Sequence, residues 1–107
     1  MYTYKAKILR WVDGDTLLCI IDLGFYTHKE ERIRLARIDA PELRGPEKEE
    51  GKRIQQLLSQ RYPQGIFLTL ESKKRDNYGR FIDELYYHEQ SINQWMIDQK
   101  LAKEVDY

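Results

Sequence analysis

The dipeptide Asp13-Gly14 constrains this chain more than any other feature, because of what flanks it. An Asp-Gly pair between two strand-like segments reads as a hairpin turn, since glycine accepts positive φ there. Upstream, Tyr2, Tyr4, Ala6 and Ile8 alternate with Thr3, Lys5, Lys7 and Leu9, the period of a half-buried strand. Downstream, Thr16 to Asp22 is rich in apolar and β-branched residues and reads as the returning strand.

Further along, Gly24 marks a second turn. Glu31 to Ile38 reads as a third strand, with Arg32 and Arg34 on one face and Ile33 and Leu35 on the other. Ala40-Pro41 ends it, because proline cannot donate to a ladder. Pro46 and the acidic residues after it suit a helix start. Ile54, Leu57, Leu58 and the stem of Arg61 follow helical spacing, and Pro63-Gln64-Gly65 stops the run. Ile66 to Leu70 is a short apolar strand, Asn77-Tyr78-Gly79 a turn, and Phe81 to Tyr87 a fifth strand. Ser91 and Gln94 fit a capping box, with Gln94 reaching back to Ser91, ahead of a second helix whose apolar face is Ile92, Trp95 and Met96. Five strands with a helix between the third and fourth, and a C-terminal helix, is the order of an OB-fold, a Greek-key β-barrel with helices.

At 107 residues the chain is expected to be one domain, 1–107. Hydrophobic residues at 41% and charged residues at 34% fit a globular protein, and no apolar run is long enough to span a membrane. The first residues lack the apolar stretch of a secretory signal, so a cytoplasmic location is the default expectation, with secretion left open should a leader precede them. Cys19 is the only cysteine, which excludes an internal disulfide; its apolar surroundings predict a core thiol. Zero net charge and a pI near 6.7 argue against a generic nucleic-acid coat, but not against an enzyme with a locally basic groove.

Three segments carry chemistry: Val12-Asp13-Gly14-Asp15-Thr16, Ile33 through Glu42, and Asp76-Asn77-Tyr78-Gly79-Arg80. The first two supply carboxylates suited to a hard divalent cation. The second and third supply arginines, whose guanidinium groups can make paired hydrogen bonds to a phosphoryl group. Together they are the parts for metal-assisted phosphodiester cleavage. Leu17 and Leu18 stand where an EF-hand loop wants a ligand and a glycine, which makes that alternative poor. His28 and His88 have no partners at metal-ligand spacing, and Arg32 and Arg37 are expected to be ordinary surface charges, Arg37 a possible neighbour of the site.

These three motifs, in order, resemble those of the staphylococcal nuclease family, from about Val12 to the C-terminus. The resemblance implies an OB-fold and calcium-dependent endonuclease hydrolysis of DNA and RNA that leaves 3′-phosphate ends. It implies Asp15, Asp39 and the backbone carbonyl of residue 40 as Ca2+ ligands. It implies Glu42 as general base or water-orienting group, Arg34 and Arg80 as phosphate clamps, and Tyr78 and Tyr107 as substrate-binding residues. The chain departs from the family pattern at Ala40, commonly threonine, and at Asn77, often lysine. It also ends before the third helix of the best-known members, an exposed surface that a homodimer could cover; otherwise a monomer is expected. A silent module that binds nucleic acid or protein is the competing expectation. The presence of Asp15, Arg34, Asp39, Glu42 and Arg80 together favours the enzyme.

Overall fold

Strand β1 (Tyr2–Asp13) is long because it serves two neighbours in the computed structural model, which describes residues 2–75 and 80–106. It pairs antiparallel with β2 (Thr16–Asp22) from Lys5 to Asp13, and with β5 (Phe67–Arg75) from Tyr2 to Lys7. A register shift between Ile8 and Arg10 bends it, as a bulge does, so one strand can turn a barrel corner. β3 (His28–Leu35) pairs with β2, and β6 (Phe81–Tyr87) pairs with β5. The ring closes where β3 and β6 run parallel, with Ile33 opposite Phe81, Arg34 opposite Ile82 and Leu35 opposite Asp83. The order β3-β2-β1-β5-β6, closed back on β3, is the OB barrel expected from the sequence.

The barrel strands β1, β2, β3, β5 and β6 send Ile8, Leu17, Cys19, Ile33, Leu35, Leu70 and Leu85 inward, all essentially inaccessible to solvent. Each such aliphatic residue contributes about 1.5–3 kcal/mol by leaving water. Burial, and then the charges of Asp83 and Glu31, push the Cys19 thiol up to about 12, so it stays a neutral core group. Helix α1 (Lys48–Arg61), preceded by a single 3-10 turn at Gly45–Glu47 that contains Pro46, buries Ile54 and Leu58 against the barrel. Gln55 ties it to β1 by donating to the carbonyls of Trp11 (3.0 Å) and Val12 (3.1 Å). Helix α2 (Ile92–Asp98) follows β7 (Gln90–Ser91), which extends the β6 edge, and buries Ile92, Asn93 and Met96. No helix among the described residues is long and apolar enough to cross a membrane.

The strand expected at Ile66 to Leu70 is longer, running from Phe67 to Arg75 because β1 and β6 pair with its polar second half. Three further local expectations differ. The third strand stops at Leu35, not Ile38: Arg37 adopts a φ of 68°, and the chain turns there. Ile38–Asp39 forms a separate short strand, β4, paired with β8 (Lys103–Glu104). Ser91 does cap α2, its hydroxyl accepting the Gln94 N–H at 3.0 Å, but the Gln94 side chain does not reach back. It donates to Asp98 (2.9 Å), one turn further along α2, and accepts from Arg37 (3.1 Å) in the turn after β3, and bonds to charged partners are the stronger ones. The first hairpin is present, with Asp13 opposite Thr16, but Gly14 is not at positive φ; its importance is spatial.

Candidate active site

The site is assembled by the turn that ends β3. Asn93, fully buried on α2, donates to the carbonyls of Ala36 (2.8 Å) and Asp83 (3.2 Å), and its Oδ1 accepts the Leu85 N–H (3.0 Å). Arg37 grips Glu84 through two parallel hydrogen bonds of 3.1 and 2.7 Å and also meets Glu104 at 3.1 Å. The turn is thereby pinned to β6, α2 and β8. Arg37, expected to be an ordinary surface charge, is a structural clamp.

This redirection carries Asp39 and Ala40 over the β1–β2 hairpin. The Ala40 N–H donates to Asp15 Oδ2 at 3.0 Å, and the Leu35 N–H donates to the Asp15 carbonyl at 2.9 Å. Close approach depends on Gly14: a Cβ there would lie 2.7 Å from the Ala40 Cβ. Asp13 steadies the hairpin by accepting the Asp15 N–H at 3.0 Å.

Arg34 joins the two acids. Its Nη2 lies 3.4 Å from Asp15 Oδ2 and 3.9 Å from Asp39 Oδ1, while Nη1 donates to the carbonyls of Leu35 (3.0 Å) and Asp15 (3.4 Å). Arg34 and Asp15 are both buried, whereas the Asp39 side chain is 56% exposed and faces solvent. Burial, reinforced by the neighbouring Asp13, pushes the Asp15 carboxyl up to about 7; the Ala40 amide and the Arg34 charge pull the other way and are outweighed.

Glu42 is exposed, three residues after Asp39, and its N–H donates to Glu47 at 3.3 Å. Its backbone is held by helix α1, where a Cβ on Gly51 would lie 2.2 Å from the Glu42 carbonyl oxygen. Arg80 is half-buried and directly precedes β6, two residues before Ile82, the strand partner of Arg34. Asp15, Arg34, Asp39 and Ala40 thus come together, with Glu42 on the adjoining segment and Arg80 at the neighbouring strand start. Tyr78 and Tyr107 lie outside the described residues, as does Asn77. A groove of about 450 Å³ opens beside Asp39 and Ala40, bordered by Glu47, Glu50, Lys100 and Lys103.

The groups gathered here that could hold a cation are oxygen donors: the carboxylates of Asp15 and Asp39, both within 4 Å of Arg34, and the backbone carbonyl of the next residue, Ala40. They suit a hard divalent cation that tolerates water and carbonyl ligands. Among the described residues no three His, Cys, Asp or Glu side chains cluster as a complete cage, so such an ion would take the rest of its shell from those sources. A buried carboxyl whose charged form is disfavoured also has most to gain from an added positive charge.

Gly51 and Asn93 have no part in the sequence-based expectation for the site, and Gly14 figures there only as a turn residue. A glycine inside a helix costs roughly 1 kcal/mol against alanine, which was the signal available for Gly51. Nothing local singles out Asn93.

Known proteins align with this picture. Residues 32–107 match the family described as staphylococcal nuclease homologue. An uncharacterized endonuclease of Haemophilus influenzae is 33% identical over 91% of this chain and 50% of its own length. An uncharacterized endonuclease of Escherichia coli is 32% identical over 86% of this chain and 55% of its own length. The chain therefore spans about half the length of these curated relatives. With the barrel order, the placement of Asp15, Arg34 and Asp39 and this match in agreement, the chain belongs to the family of staphylococcal nuclease homologues.

Proposed function

We propose that this domain is a calcium-dependent nuclease that hydrolyses phosphodiester bonds of DNA, RNA or both, leaving 3′-phosphate ends. The convergence of Asp15 and Asp39 on one nitrogen of Arg34 supports this function most strongly. Acids and a base held this close make a site where cation and phosphate can be bound side by side. The endonuclease names of the relatives support the same substrate class.

Asp15, Asp39 and the carbonyl of Ala40 would hold the ion. When bound, calcium neutralises phosphate charge and lowers the pKa of a nearby water. Arg34 and Arg80 bind the phosphoryl oxygens and oppose the charge that builds in the transition state. Arg34 is well prepared for this, because Nη1 is anchored on two carbonyls and the guanidinium plane is fixed before substrate arrives. Glu42, exposed to solvent, accepts the proton of the attacking water. Tyr78 and Tyr107 contribute substrate contacts. Ala40 keeps a backbone carbonyl and lacks the hydroxyl and methyl that threonine would carry there.

The test is cleavage of single-stranded DNA and RNA by the purified protein, with calcium and with chelator, beside Arg34→Ala and Glu42→Ala. Calcium-dependent cutting that falls about 100- to 1000-fold in Arg34→Ala is expected. Absence of cutting by the folded, calcium-supplied protein would defeat the nuclease reading in favour of a binding module.

A further inference from the structure

The β2–β3 hairpin ends in two aromatic side chains that stand fully in solvent. Phe25 is 99% and Tyr26 101% exposed. Both sit in the left-handed region, at φ 51° and 60°, where a bulky residue is unfavourable and glycine or asparagine would serve the turn better. The tip is nevertheless well formed: the Leu23 N–H donates to Thr27 and the Thr27 N–H to Gly24, each at 2.8 Å, and Asp22 accepts the Gly24 N–H at 2.8 Å. Two exposed rings in a costly backbone conformation mark a surface built for contact.

Strand register shows what lies behind the tip. Opposed residues share a face of the sheet, so His28, Asp22, Lys5 and Thr69 form one outward rung, and Glu30, Ile20, Lys7 and Phe67 the next. These rungs wall a shallow groove of about 520 Å³ lined by Lys5, Lys7, Ile20, Asp22, His28 and Phe67. Phe67 is a third exposed ring, with the Lys5 ammonium 4.8 Å above its centre. The same β2–β3 ladder runs from Asp22 opposite His28 to Thr16 opposite Arg34, six residues or about 20 Å away at the usual rise. Arg32 lies on that outward row, between the tip and the site.

We propose that Phe25 and Tyr26, with Phe67, Lys5 and Lys7 behind them, form a stacking platform for single-stranded nucleic acid, about 20 Å from the cleavage site along the outer face of β2 and β3. This rests on the nuclease function proposed above, and names a second contact for the same substrate. Open aromatic faces next to lysines suit unpaired bases and their phosphates, and stacking tolerates any base. Duplex bases are already stacked and do not offer themselves to such rings. The platform therefore favours single strands long enough to reach from the site to the tip.

The experiment measures affinity for fluorescent single strands of about 3 and about 16 nucleotides, the latter at the upper end of what one such barrel covers. Chelator is present, so binding is read without cleavage; cleavage is read separately with calcium. Wild type, Phe25→Ala/Tyr26→Ala and Phe25→Trp/Tyr26→Trp are compared. Wild type is expected to prefer the long strand, and the alanine variant to lose that preference by about tenfold or more. The tryptophan variant should keep it. Since both rings are fully exposed, the variants should fold alike, which thermal unfolding checks. Equal long-strand affinity in wild type and alanine variant overturns the platform, even where calcium-dependent cleavage upholds the nuclease. Binding that depends on the rings, without cleavage, upholds the platform and defeats the nuclease. Association with anionic lipid vesicles, or self-association, that the alanine variant loses while strand binding is unchanged also overturns it.

Discussion

Replacing Gly51 with alanine sets two opposed effects against each other. In an exposed helix the change is favourable by roughly 1 kcal/mol, because alanine is the better helix former. Here the new Cβ would lie 2.2 Å from the Glu42 carbonyl oxygen, 2.7 Å from its carbonyl carbon and 3.0 Å from the Pro41 oxygen. All three are backbone atoms, which cannot swing aside like the end of a side chain. Relief requires α1 and the Pro41–Glu42 segment to separate by a substantial fraction of an ångström. Forcing an extra methyl into a packed interface costs about 1–3 kcal/mol, so the net effect is a destabilisation of about 1 kcal/mol. In a domain of this size that lowers Tm by about 5 °C. The movement also carries Glu42 away from Asp39 and Ala40, and misplacement of about 1 Å costs about 100-fold in rate. Thermal unfolding and single-stranded DNA cleavage of Gly51→Ala, at saturating substrate, read the two effects separately. A raised Tm with unchanged kcat would refute the reasoning altogether. A lowered Tm with unchanged kcat would keep the packing and discard Gly51 as the residue that positions Glu42.

Two further perturbations test the scaffold. Asp83 is buried in the barrel wall, and its Oδ1 is the one buried side-chain oxygen without a hydrogen-bond partner among the described residues. Burial pushes its carboxyl up to about 7, so the folded state prefers the neutral acid. The Asp83 contribution is full below the unfolded pKa near 4 and is lost as pH rises through about 7, for a total of about 2–4 kcal/mol. Asp83→Asn should therefore gain stability over wild type between pH 5 and pH 8, measured by denaturant unfolding; parallel pH profiles would contradict this. Asn93→Ala removes the partners of three backbone groups at once and is expected to cost at least about 3 kcal/mol. A loss under 1 kcal/mol by the same method would mean that water replaces the amide.

The barrel was legible because its determinants are local. Alternation along β1, the apolar run of β2 and the exact span Phe81–Tyr87 of β6 each follow from neighbours in the chain. What misled was continuity: Glu31 to Ile38 reads as one strand because no glycine or proline interrupts it, although the two successive apolar residues Leu35 and Ala36 break the alternation where the strand ends. The turn is imposed from outside, by Asn93 holding the Ala36 carbonyl and Glu84 holding the Arg37 side chain. For the same reason Gln94 was read as half of a capping box, when Arg37, far away in sequence, claims its oxygen.

The site divides along that line. Asp15, Arg34, Asp39 and Glu42 stand out in sequence because chemistry restricts which side chains can bind a cation or a phosphate, whatever surrounds them. The residues that give them geometry are defined by contact instead. Asn93 acts on a carbonyl 57 positions away, and Arg37 on a carboxylate 47 positions away. Gly14 and Gly51 matter for atoms they do not have, which leave room for Ala40 and for the Glu42 backbone. A reading confined to motifs would pick out the charges and still treat Gly51, Asn93 and Arg37 as replaceable. The structure reverses that ranking for stability: the exposed Asp39 and Glu42 can change with little effect on folding, whereas the buried Gly51 and Asn93 and the half-buried Arg37 cannot.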